Sequence, residues 1–231
     1  MIHQLIFAAP KPGMSEREFQ RYWVEVHAVK YASKIPQIRK YLIDTRVDRP
    51  GESGEPLWSG IAEIWIENEK EQLQSLQSPE FLQGARLDEP NWAAFWKTLV
   101  LDTDAHELLA GPPLAKGQSW VKVVTLWKRK EGLKLAAFRD HALKTHAPKA
   151  LKLPGLRRYL QCHVRDSWYA VGEPRFDAVS MQWYDDARAV AAAAGEDLKA
   201  FVEPRYVFSM AAQEHWIIGP EARELAQARR S

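Results

Sequence analysis

Cysteine is almost missing from these 231 residues, where Cys162 stands alone. One thiol excludes an intrachain disulfide framework and any multi-cysteine zinc or iron–sulfur site, and it makes a reducing compartment, by default the cytoplasm, the expected setting. Charge of one sign is lacking too. The 32 Lys and Arg against 30 Asp and Glu leave +2, too little for an electrostatic nucleic-acid binder. No run approaches the roughly 18 apolar residues that a membrane helix needs. The apolar opening has no basic leader and soon meets Pro10-Lys11-Pro12-Gly13, so it reads as a first strand rather than a signal peptide. Nucleic acid and membrane are therefore not expected partners. A Walker loop, a GxGxxG after a strand and a GxSxG elbow are also missing, which argues against nucleotide chemistry and serine hydrolysis. His141 and His146 stand five apart, whereas helical ligand pairs favour four, so no metal is expected from local spacing.

What is abundant is aromatic: 10 Trp, 7 Tyr and 8 Phe, enough to fill a core or line an apolar cavity. The chain also repeats itself. Phe19 meets Phe138, His27 meets His146 and Lys30 meets Lys149, all 119 residues on. After a one-residue gap, Pro36, Arg39, Tyr41 and Trp65 meet Pro154, Arg157, Tyr159 and Trp183 at an offset of 118. Near the end of each copy His106 meets His215 at an offset of 109. An ordered set of matches across both halves argues for duplication: repeat 1 over 1–110, a Gly/Pro linker over 111–118, repeat 2 over 119–219, and a charged tail over 220–231, predicted helical.

Each copy reads strand, helix, strand, strand, helix, strand. Residues 2–8 and 120–127 are predicted first strands, 41–45 and 159–163 second, 58–66 and 176–184 third, and 99–108 and 209–218 closing strands. Ser15 with Glu18 forms a capping box for the first helix, whose buried face carries Phe19, Tyr22, Trp23 and Val26. Pro148 marks a kink or early end in the second copy. Residues 69–77 and 186–202 are predicted second helices. The order βαββαβ implies a ferredoxin-like α+β unit. Two such units in one chain make an intramolecular, pseudo-dimeric α/β barrel, compatible with a further homo-oligomer.

At Lys11-Pro12-Gly13-Met14-Ser15, Phe19, Trp23, His27-Ala28 and Pro36 to Tyr41, and again at Phe138, His146-Ala147-Pro148 and Leu153 to Tyr159, the sequence resembles the EthD family of the dimeric α/β-barrel superfamily. The resemblance spans most of the chain up to about residue 219 and implies that fold. It also implies a chemistry drawn from cyclases, isomerases, lyases, haem-using oxidases and proteins of unsettled role, one fold hosting many functions. The copies depart from one another: His141-Ala142 stands where Tyr22-Trp23 does. One working pocket and one supporting half are therefore expected, with His27 the favoured base.

His27, four residues after Trp23 and eight after Phe19, and His146 after Phe138 are candidate general bases, since imidazole titrates near neutrality. The competing reading is a histidine that anchors helix to sheet. His106 and His215 are candidate partners for them across a cleft, or for each other at the pseudo-dyad, against surface histidines. Tyr41 and Tyr159 are candidate enolate donors or plain core tyrosines. Asp44, Glu63 and Asp166 are candidate carboxylate partners. Phe19, Trp23, Trp65, Phe138 and Trp183 are candidate cavity walls. The leading expectation is a cofactor-independent enzyme acting on a small apolar aromatic, polyketide-like or lactone carbonyl compound by histidine acid/base catalysis, in an isomerisation, cyclisation or carbon–carbon cleavage. The alternatives are a haem-dependent oxidoreductase and a non-catalytic binder of an aromatic metabolite.

Overall fold

A computed structural model describes residues 1–49, 54–112, 120–186, 190 and 198–224. Its strands are β1 (Ile2–Ala8), β2 (Lys40–Val47), β3 (Gly60–Ile66), β4 (Leu99–Leu109), β5 (Val121–Arg129), β6 (Leu156–Val164), β7 (Ala178–Tyr184) and β8 (Val202–Ile218). They hydrogen-bond in the order β1-β3-β2-β8-β5-β7-β6-β4 and close into a barrel, the α+β architecture that the repeat implied. Two compact units divide the described residues: 1–46, 54–102 and 214–224 form the first, and 47–49, 103–112, 120–186, 190 and 198–213 the second. β4 passes from the first to the second after Asp102, and β8 returns after Gln213.

In the first unit, β3 pairs antiparallel with both β1 and β2. Alternation sends Ala62, Ile64 and Ile66 of β3 to one face, where they meet Phe19, Trp23, Ala28 and Tyr41 in one core. Helix α1 (Glu16–Tyr22) starts at Ser15 with both halves of the capping box made: Glu18 N–H donates to Ser15 Oγ at 3.3 Å and Ser15 N–H to Glu18 Oε2 at 3.0 Å. It runs on without a break as a π-helical segment, Trp23–Tyr31. Arg223 closes this region by donating from Nε to the Ile38 carbonyl at 2.6 Å and from Nη1 to that of Ser33 at 2.9 Å. A cation among the carbonyls at a helix end is the favoured pairing.

The second unit repeats the plan, with β5–β7 and β6–β7 antiparallel. Helix α4 (Leu135–His141) again widens into a π segment, Ala142–His146, before α5 (Ala147–Ala150). Pro148 therefore sits in the first turn of a helical segment, where its missing N–H costs little, and does not end the run. A short helix, α6 (Asp166–Val171), follows β6 and was not anticipated. The helix expected over 186–202 falls mostly outside the described residues, as do the linker beyond Pro112 and the tail beyond Glu224. β8 begins at Val202 and is 17 residues long, longer than the closing strand expected over 209–218. Among the described residues no helix is long and apolar enough to cross a membrane.

Candidate functional site

His27 lies within the first π segment and is nearly covered. In an α-helix each residue advances by 100°, so positions i, i+4 and i+8 drift steadily off one line. The wider π turn winds that drift back and keeps Phe19, Trp23 and His27 against the same layer. π segments are rare and concentrate at functional sites. Here one carries each of the repeat-matched helix histidines.

His27 Nδ1 stands 2.9 Å from Asp88 Oδ2. Asp88 ends α3 (Arg86–Asp88), which follows α2 (Glu69–Gln77) and a wide turn over Glu80–Ala85. Its other oxygen accepts from Tyr22 Oη at 2.8 Å and from Asn91 Nδ2 at 3.0 Å. The Trp92 indole N–H also approaches His27 Nδ1, at 3.2 Å. One ring nitrogen cannot both donate to Asp88 and accept from Trp92. Burial alone would raise the Asp88 carboxyl, but the Asn91, His27 and Tyr22 hydrogen bonds outweigh it and leave Asp88 below its ordinary range, hence ionised. The carboxylate claims the proton, so Nδ1–H donates to Asp88 and Nε2 keeps the lone pair. Burial pushes His27 below 6.5 despite the opposing pull of Asp88, which makes the ring a neutral base at physiological pH. Burial first, then the Asp88 contact, raises the Tyr22 hydroxyl to about 12, so it stays a donor.

The aromatic candidates separate by face. Phe19 and Trp23 stand 5.3 Å apart, and Trp92 lies 4.9 Å from Trp23 and 4.6 Å from His27, ring to ring. Trp65 points from the opposite face of the sheet, stacked 4.3 Å from His3 and 5.9 Å from Trp216. It does not share a wall with Trp23, because successive residues of β3 alternate. On that face His3 Nε2 meets Glu63 Oε2 at 2.6 Å, so Glu63 serves His3 rather than His27. Asp44, Glu63 and Glu214 also gather there, with oxygens within 4.8 Å of one another. Tyr41 is buried and takes the Trp23 indole N–H on its hydroxyl.

In the second unit His146 is set edge-on to Trp127 at 5.2 Å and beside Phe201 at 5.2 Å. Phe138 packs on Phe201, and Trp183 faces the cations Lys122 and Arg158 on the other side of the sheet. Tyr159 is buried and accepts from Gln161 Nε2 at 2.7 Å. Asp166 pairs with Arg139 at 2.7 Å. His215 Nε2 lies 2.9 Å from Thr45 Oγ1, and the His106 ring lies 4.7 Å from that of His163.

Asp88, Asn91, Trp92 and His163 escaped the sequence reading. A signal existed for Trp92: Phe201 is its mate at the offset of 109 set by His106 and His215, and that offset carries Asp88 to Asp197, outside the described residues.

The EthD domain model matches residues 11–95 and 130–204, both copies and more than half of the chain. The chain belongs to the EthD family. Its fold is shared with the crystal structure of an anthrone oxidase-like protein (TM-score 0.61, 15% identity, 97% of this chain and 96% of that one). It is shared also with a candidate monooxygenase from Lactobacillus acidophilus (0.52, 14%, 97% and 99%) and a candidate chlorite dismutase (0.51, 11%, 93% and 94%). At these identities the likeness is one of fold. No curated protein matches the chain by sequence.

Proposed function

We propose that this EthD protein is an enzyme that moves a proton on a small apolar aromatic, polyketide-like or lactone carbonyl compound, with His27 as the base. The observation that supports it is the buried Asp88–His27 pair, whose carboxylate is held by Tyr22 and Asn91. In this reading Nε2 takes a proton from the carbon next to the carbonyl, and the electron pair of that C–H bond moves into the enolate. The imidazolium, steadied by Asp88, then returns the proton to the same or a conjugated carbon, so that no co-reactant is consumed. Asp88 fixes the tautomer and orients the ring, as the carboxylate of a catalytic triad does. Trp92 and Tyr31, whose rings lie 4.6 and 6.3 Å from His27, form the apolar flank.

Deuterium uptake at the α-carbon of a panel of aryl ketones and lactones, followed by NMR, tests the reading. Wild type should catalyse uptake by at least one of them, and a folded His27→Ala chain should lose it by about 10²-fold or more. Full activity in a folded chain carrying both His27→Ala and His146→Ala would overturn it. Haem has no comparable support at this site, where the partners of His27 are the Asp88 carboxylate and the Trp92 indole. A Soret shift on titration with haemin would restore it.

A further inference from the structure

Gln161 and His163 project from β6 on the same side. The Gln161 amide nitrogen lies 3.1 Å from the Ala142 carbonyl and 2.7 Å from the Tyr159 hydroxyl. A carbonyl can only accept, so the amide orientation is fixed and Oε1 points the other way, 3.1 Å from His163 Nε2. Nε2 must therefore carry the proton. Burial, then the charges of His106 and Arg139, hold His163 down to about 3, so the ring is neutral and Nδ1 is a bare lone pair. That atom is buried and has no partner among the described residues.

Arg139 presents the complementary defect. Its Nη1 donates to Asp166 at 2.7 Å and its Nη2 to the Val164 carbonyl at 2.5 Å, which pins the guanidinium, while Nε–H is buried with no partner among the described residues. An unpaired buried polar atom is destabilising, and such atoms call for an explanation. The two stand in one neighbourhood, since Arg139 Nη2 donates to the carbonyl of Val164, next to His163 in the chain, and the ring of Phe138, next to Arg139, lies 6.3 Å from that of His163.

We propose that the second unit holds a subsite for a phenolic or enolic hydroxyl, which donates its proton to His163 Nδ1 and accepts from Arg139 Nε–H. The chemistry narrows by elimination. A carboxylate or a phosphate monoester dianion has no proton for the lone pair. An ammonium has no acceptor for the guanidinium. A divalent cation is repelled by Arg139. A hydroxyl satisfies both, and the rings of Phe138 and His106, 6.3 and 4.7 Å from His163, favour one carried on a flat unsaturated ligand. The first unit offers an internal precedent. At offsets of 118 and 109, Thr45 answers His163 and His215 answers His106, and there a threonine hydroxyl already meets the imidazole at 2.9 Å. The subsite does not depend on the role of His27.

The test is a titration of the intact, histidine-labelled chain with phenol, read by the ¹⁵N resonance of His163 Nδ1, with anisole as the probe that lacks the O–H donor. Phenol should move the resonance saturably and anisole should not. Read by calorimetry, His163→Leu should weaken phenol binding by about tenfold or more, while His27→Ala leaves the response of the His163 resonance unchanged. An Nδ1 resonance indifferent to phenol, an equal response to anisole, or binding that is lost with His27→Ala but kept with His163→Leu would each overturn the proposal. So would a crystal structure with an adventitious water only between Nδ1 and Nε that phenol does not displace. The resonance of the wild-type chain decides the matter even where the leucine variant fails to fold.

Discussion

At the scale of single residues, a neutral buried imidazole makes stability depend on pH in one direction. The folded value of His163, about 3, lies below the ordinary 6.5. As pH falls through 6.5 the unfolded chain takes up the proton first, so stability drains away until the folded form also protonates near 3. At pH 4 the loss amounts to roughly 3 kcal/mol. Urea melts between pH 7 and pH 4 should show a shallower decline in His163→Leu than in wild type, and equal slopes would refute the assignment. His27 obeys the same sign: burial holds it below 6.5, and Asp88 is what keeps it from falling further. Under the proposed function Asp88→Asn should lower kcat/KM by about 10²–10⁴-fold and move the acid limb of the pH–rate profile to lower pH. His27 was legible because it recurs 119 residues on, whereas His163 answers Thr45 and a search for matching pairs passes over it. Asp88 was hidden because only folding brings it to the histidine, 61 positions away.

At the scale of elements, the strands were legible as short runs rich in Ile, Val and aromatic residues, and the first helix from its capping box. The π segments were not, because periodicity read at 100° per residue has no term for a widened turn. Glycine at the start of β3 has a reason that only packing reveals. A Cβ on Gly60 would lie 2.7 Å from the Asp44 carbonyl oxygen and 2.9 Å from the Trp23 ring. Gly60→Ala should therefore cost about 1–3 kcal/mol in chemical denaturation, and pairing it with Trp23→Phe should recover part of that loss. Additive losses would show that the two positions are not in conflict.

At the scale of the whole molecule, the duplication was plain in sequence, but the path of the chain was not. The first core includes Ile217 and Ile218 from the end of β8, and Arg223 grips the carbonyls near its helix end. A chain cut after Pro112 lacks all three and should give no cooperative melt by circular dichroism; a sharp transition would contradict this division of the molecule. The two cores also differ in where they obtain their central indole. In the first it comes from the helix, Trp23, over Ala8 and Gly60, a directly paired couple on β1 and β3. In the second the helix offers Ala142, and the indole comes from the strand, Trp127, paired with Ala178. Each copy is filled, by opposite means. Carrying the first helix into the second copy would put two indoles in one space, and the reverse transfer would leave Trp92 facing the gap where Trp23 stood, a void costing about 3–5 kcal/mol. Recombination between the repeats is thereby penalised in both directions, and the halves, once identical, are shielded from being made so again.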